Sequence, residues 1–159
     1  MFEIVYRSRS LAAFSSEGLA QMIEQARSSN FTNNITGLLV FDGTHFLQIL
    51  EGEKPAIESL FDTIRNDSRH FDVEQLWSQS SSPIGQRAFA NWSMGSIRLA
   101  SGALEPSSEL TAFQKTEDRN GLSYGARLFR VLSSSPNYGA AGLFMPNLSA
   151  TPFDLSVSI

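Results

Sequence analysis

Most side chains able to do chemistry in this 159-residue sequence stand in patterns that do none. There is no cysteine, which excludes disulfides, thiolate metal sites, cysteine nucleophiles and any cysteinyl cofactor adduct. His45 and His70 are the only histidines; neither falls in an HxxxH or similar metal-ligand spacing, and both read as structural. No serine sits in a GxSxG elbow, and no Gly-rich phosphate loop occurs. Glu51 and Glu53 flank what reads as a turn, where solvated surface charge is expected rather than acid–base work. Tyr6 and Gln48 are different. Tyr6 shares a strand face with Phe2 and Ile4, and Gln48 shares one with Phe46 and Leu50. An amide both donates and accepts, so it can reverse its hydrogen bonds when a neighbour's electronic state changes. The residues alone leave a second reading open, in which the two satisfy each other or backbone groups in an ordinary core.

The elements that must position this pair follow from periodicity. Phe2 to Ser8 alternates as a first strand. Ser15 and Ser16 can cap a helix with Leu19, Met22, Ile23 and Ala26 on one stripe, ending near Ser28 to Asn30. Ile35 to Phe41 and Thr44 to Leu50 read as a hairpin turning at Asp42-Gly43. Pro55 suits the first turn of a second helix, which carries Ile57, Leu60, Phe61 and Ile64. Phe71 to Gln79 and Ser93 to Leu99 complete a βαββαββ order. This is a ferredoxin-like α+β plan, with two helices on one face of an antiparallel sheet and the first and third strands side by side. That adjacency brings Tyr6 and Gln48 together under helical cover.

Residues 1–99 fill this plan, and the composition shifts after Ala100, where four of the six prolines fall. A short C-terminal helical extension is expected over residues 100–159. Its best helical stretch is Gly121 to Leu132, with Leu122, Ala126 and Phe129 on a stripe. The tail over 133–159 is apolar, with Leu143, Phe144, Met145, Phe153 and Leu155; disorder and docking on an apolar groove both fit it.

These segments resemble a known family, the BLUF domains, which sense blue light with a flavin. Tyr6 in Ile4-Val5-Tyr6-Arg7-Ser8 resembles the family's photoactive tyrosine. Asn30, ahead of Ile35-Thr36-Gly37, and Gln48, in Phe46-Leu47-Gln48-Ile49-Leu50-Glu51-Gly52, are similar to its flavin-contacting asparagine and switching glutamine. Asp67-Ser68-Arg69-His70 resembles the segment after the second helix, and Trp92-Ser93-Met94-Gly95 the Trp-x-Met segment on the fifth strand. Five segments in order over residues 1–99 are a specific match. Two departures stand out: Ser29, where the family often has Asn or His, and a longer Ser80 to Arg87 loop.

The resemblance implies a non-covalently bound flavin, FAD with FMN or riboflavin as alternatives. The isoalloxazine would lie between the helices, against Met22, Ile23 and Ile64, with Ser8, Asn30, Gln48 and Arg69 as further contacts. It also implies electron and proton transfer from Tyr6 after blue-light absorption. Rotation or tautomerisation of Gln48 would follow, and the change would pass to Trp92 and Met94. No catalytic turnover is implied; the expected output is altered protein contact, with another copy of the chain in a dimer or larger assembly or with an effector protein.

The remaining readings are weaker. The absent cysteine removes the adduct chemistry of LOV photoreceptors. An acylphosphatase-like hydrolase would use Arg7 or Arg9 but lacks its Gly-rich loop. An interaction module without photochemistry is the main alternative. Sixteen acidic against twelve basic residues, scattered along the chain, offer no basic face to nucleic acid. Met1 to Ser10 has no signal-peptide profile and no stretch has membrane-spanning length, so the cytoplasm is expected.

Overall fold

The computed structural model describes residues 1–11, 14–80, 87–91, 93–99, 101–102, 104 and 123–128, with the backbone of 143–144. The chain runs β1 (Phe2–Ser10), α1 (Ser16–Thr32), β2 (Thr36–Phe41), β3 (His45–Gly52), α2 (Lys54–Arg65), β4 (His70–Ser80), β5 (Gly95–Arg98) and β6 (Leu143–Phe144). The sheet order is β4-β1-β3-β2-β5-β6. Its first four strands are the antiparallel ferredoxin-like set, and β5 adds parallel to β2. The short β6 extends the far edge, antiparallel to β5.

Local chemistry explains these limits. The Ser15 hydroxyl caps α1 by accepting from the Gly18 N–H at 3.0 Å. The helix runs past Asn30 to Thr32, further than the run of poor helix formers suggests, because tertiary contacts at Asn30 outweigh propensity. It stops where Asn34 takes a φ of 52°, a conformation asparagine tolerates, and the Ile35 N–H returns to the Asn30 carbonyl at 2.8 Å. At the β2–β3 hairpin, Gly43 has a φ of 96° and one Asp42 carboxylate oxygen accepts from the Thr44 and His45 N–H groups. Pro55 stands in the first turn of α2. The fifth strand is shorter than the expected Ser93 to Leu99, so Ser93 and Met94 precede it.

Both sheet faces are buried. Under α1 and α2 lie Phe2, Ile4, Tyr6, Leu39, Phe46 and Leu50, packed against Leu19, Ile23, Ile57 and Phe61. The opposite face carries Val5, Leu38, Val40, Leu47 and Ile49, covered by Phe89, Leu104, Tyr124 and Leu128. Residues 124–128 form a short helix inside the expected Gly121 to Leu132 stretch; 121, 122 and 129–132 lie outside the described residues. Tyr124 stacks on Trp77 with ring centroids 4.9 Å apart.

This second cover corrects the reading of Glu51. It is fully buried within β3 rather than solvated beside a turn, and it accepts from the Ala88 and Phe89 N–H groups at 2.8 and 3.0 Å. Directly opposite on β1 stands Glu3, also buried, which accepts from the Gly125 N–H at 3.2 Å. Burial raises the pKa of both carboxyls; Glu3 is pushed up to about 7 despite the Ser123 hydrogen bond, with the Glu51 charge adding to the rise.

Candidate functional site

The β1–β3 register sets Tyr6 directly opposite Gln48. Both side chains point under the helices, and the Tyr6 hydroxyl donates to Gln48 Oε1. The amide's other end, Nε2, donates to Met94 Sδ at 3.4 Å. Phenol, amide and thioether therefore form one buried line reaching from β1 across the sheet to the approach to β5. Burial holds the Tyr6 phenol far above its ordinary pKa, with the negative charge of Asp67 adding to the effect. Tyr6 is thus a neutral hydrogen-bond donor at any physiological pH. Its ring also packs against Phe61 of α2 at 5.3 Å between centroids.

The far end of the line is gripped by α1. Asn30, nearly fully buried, donates through Nδ2 to the Ser93 carbonyl at 2.8 Å, and Arg27 Nε donates to the Met94 carbonyl at the same distance. Arg27 has no sequence signal beyond its helical phase with Asn30, and its role emerges only from the return of residues 93–94 to α1. Met22 and Ile64 are partly buried against the cluster that holds Tyr6, and Ile23 belongs to it.

Ser8, one turn of the pleat beyond Tyr6 on the same face, meets Nδ1 of His70 at 2.8 Å. His70 also packs on Phe46, with ring centroids 4.9 Å apart. Burial lowers its pKa, opposed by the charge of Asp67. Through these contacts it braces Ser8, a residue of the candidate site. Arg69 is half-exposed and bound to Asp67, its side-chain hydrogen bond holding that carboxyl below its usual range. Trp92 lies outside the described residues.

These groups suit a flavin better than they suit one another. Gln48 spends a buried N–H on a thioether, a weak acceptor, where a ring carbonyl would be a stronger partner. Above it, the Met22, Ala26, Leu60 and Ile64 side chains offer partly buried apolar contact of the kind an aromatic ring system requires. Among the described residues no group of His, Asp and Glu is placed to hold a metal, and no helix is long and apolar enough to cross a membrane.

The sequence model of the BLUF family, described as sensors of blue-light using FAD, matches residues 1–95. The blue light- and temperature-regulated antirepressor BluF of Escherichia coli (strain K12) is 30% identical over 73 residues, 46% of this chain and 18% of its own. The photoactivated adenylate cyclase subunit alpha of Euglena gracilis is 34% identical over 91 residues, 57% of this chain and 9% of its own. The chain thus spans less than a fifth of the length of these curated relatives. Among solved structures, the dark state of the BLUF protein BlrB superposes with a TM-score of 0.57 at 27% identity, covering 87% of this chain and 89% of that one.

Proposed function

The chain belongs to the BLUF family, and from that premise we propose that it is a blue-light sensor whose switch is the amide of Gln48. The single observation that carries this reading is the buried Tyr6–Gln48–Met94 line, with one donor and one acceptor end of the amide both engaged. Residues 1–99 would be the photosensor and 100–159 the output extension.

Met22 and Ile23 of α1 and Ile64 of α2 would hold the flavin ring by apolar contact. Asn30 and Gln48 would bond its polar edge, and Ser8 and Arg69 the remainder. FAD is favoured by the family's description, with FMN and riboflavin as alternatives. When bound, the flavin supplies absorption of blue light and a centre able to take an electron and a proton.

Tyr6 is placed to give up both, since its phenol is neutral and its proton already points at Gln48. Reversal of the Gln48 amide, by rotation or tautomerisation, then turns a donor toward Tyr6 and takes the N–H away from Met94. Met94 is held by its own carbonyl through Arg27, so loss of the amide contact acts on the segment carrying Trp92 and leading into β5. Trp92 and Met94 together would pass the change on. The output would be altered contact with a second copy of the chain or with an effector protein in the cytoplasm, without substrate turnover and without nucleic acid or membrane as a direct partner.

The test is an absorption spectrum of purified protein in the dark and after blue light, with Gln48→Leu alongside. The wild type shows a flavin band that shifts reversibly to longer wavelength, and the variant binds flavin without the shift. A band that merely bleaches, or a shift that survives in Gln48→Leu, would falsify the amide switch.

A further inference from the structure

A cavity lies on the side of α1 that faces β2 and β5. It measures about 350 Å³ and is walled by Ser16, Leu19, Ala20 and Ile23 of α1 over a floor of Leu39, Phe41, Ser96 and Arg98. The four helix residues share one stripe at i, i+3, i+4 and i+7. The floor follows from register: β5 pairs in parallel with β2, setting Ser96 beside Leu39 and Arg98 beside Phe41. Leu39 and Phe41 face the helices, so Ser96 and Arg98 face them too. None of Tyr6, Gln48, Asn30, Met22, Ile64 or Met94 lines this space; Ile23 alone is shared with the contacts assigned to the flavin.

One buried group in it is unsatisfied, and one cation at its rim lacks an anionic partner among the described residues. The Ser96 side chain is buried, 6% exposed, and its hydroxyl has no hydrogen-bond partner among the described residues. A buried hydroxyl without a partner is costly, and in a cavity this size a ligand atom can satisfy it. Arg98 stands at the exposed rim, its guanidinium reaching only the Ser16 hydroxyl at 3.2 Å and forming no ion pair among the described residues. The rest of the lining is aliphatic and aromatic.

We propose that this cavity binds a small amphiphilic carboxylate, of the medium-chain fatty-acid class. The chain would lie among Leu19, Ile23, Leu39 and Phe41. The carboxylate accepts from the Ser96 hydroxyl and from the Arg98 guanidinium, which leaves Ser16 to meet it. A cation at the rim selects an acid over the corresponding alcohol, and the apolar walls select it over a short polar anion.

Calorimetric titration of octanoate into the full chain tests this independently of any light response. The expected result is one saturable site with a Kd below about 1 mM. Ala20→Phe, which fills the cavity from an exposed helix position, removes binding while the melting temperature stays within about 2 °C of wild type. Arg98→Gln weakens octanoate by roughly tenfold and leaves octanol unchanged. A featureless wild-type titration overturns the proposal, as does binding that persists in Ala20→Phe. Octanol binding as tightly as octanoate overturns the assignment of the carboxylate.

Discussion

The two faces of the sheet bury polar groups of opposite kinds. Under the helices the groups on the strands are neutral: the Tyr6 phenol, the Gln48 amide and the Ser8 hydroxyl. On the other face the groups that meet the returning backbone are carboxylic: Glu3 takes the Gly125 N–H and Glu51 takes those of Ala88 and Phe89, with the buried Thr36 hydroxyl also donating to Glu51. At the hairpin, Asp42 likewise takes the Leu104 N–H at 2.8 Å. A carboxylate only accepts, so it fixes whatever donor returns to it; an amide can present either end. Equal burial thus yields fastening on one face and a reversible contact on the other.

The sharpest way to break this contrast is to remove a fastening. Glu51→Leu leaves two backbone N–H groups buried without an acceptor and is expected to destabilise the fold by about 2–5 kcal/mol in urea unfolding. The same experiment on Gln48→Leu should cost about 1–2 kcal/mol, because the Tyr6 hydroxyl loses its partner there while Met94 Sδ loses only a weak contact. If the two costs are equal, the contrast between the faces fails.

Packing on the outer face gives a comparable handle. A Cβ at Gly125 would fall 2.5 Å from Ile49 Cγ2 and 2.8 Å from a Glu3 carboxylate oxygen. Gly125→Ala should therefore cost about 1–3 kcal/mol and speed amide exchange over residues 124–128, while the dark flavin spectrum is unchanged.

Acidity sharpens the contrast further. The folded-state pKa of Glu3 is raised from 4.5 to about 7, so the folded protein binds that proton more tightly than the unfolded chain. Its contribution is fully present below the unfolded value of 4.5 and is lost as pH rises through 7. Glu3→Gln keeps an acceptor oxygen and removes the titration. Unfolding measured from pH 4.5 to 8 should show a slope in the wild type amounting to roughly 1–3 kcal/mol, and a flatter profile in the variant. The smallest effect is expected at the surface, where Arg69→Gln breaks the exposed pair with Asp67 and should change stability by less than about 0.5 kcal/mol.

The helix-side face was legible in the sequence because its signals are local or periodic. Alternation put Tyr6 and Gln48 on inward positions, the Asp42-Gly43 turn fixed which residues of β2 and β3 meet, and the Ser15 cap and Pro55 marked the helix starts. The outer face was not legible. Every residue of β2 and β3 is buried, so alternation there no longer separates inside from outside, and Glu51 reads as solvent-facing. What covers it arrives from residues 87–89, 104 and 123–128, whose return over the sheet leaves no periodic trace in β1 or β3. The grip of Arg27 and Asn30 on residues 93–94 is hidden for the same reason, since it joins positions distant in sequence.

The central place of β1 has a consequence for how the chain is made. Phe2 pairs with Gly52 on one side and with Ser80 on the other, so β1 is completed only after β4 has been synthesised. Pairings of such high sequence separation are slow, and a strand waiting for them is exposed to pairing with other chains. Glu3, Arg7 and Arg9 interrupt its apolar run at alternate positions, and charges so placed act as gatekeepers against that fate during translation. Glu3 then serves twice, first keeping a nascent strand apart from its neighbours and later receiving the Gly125 N–H beneath the cover that closes over it.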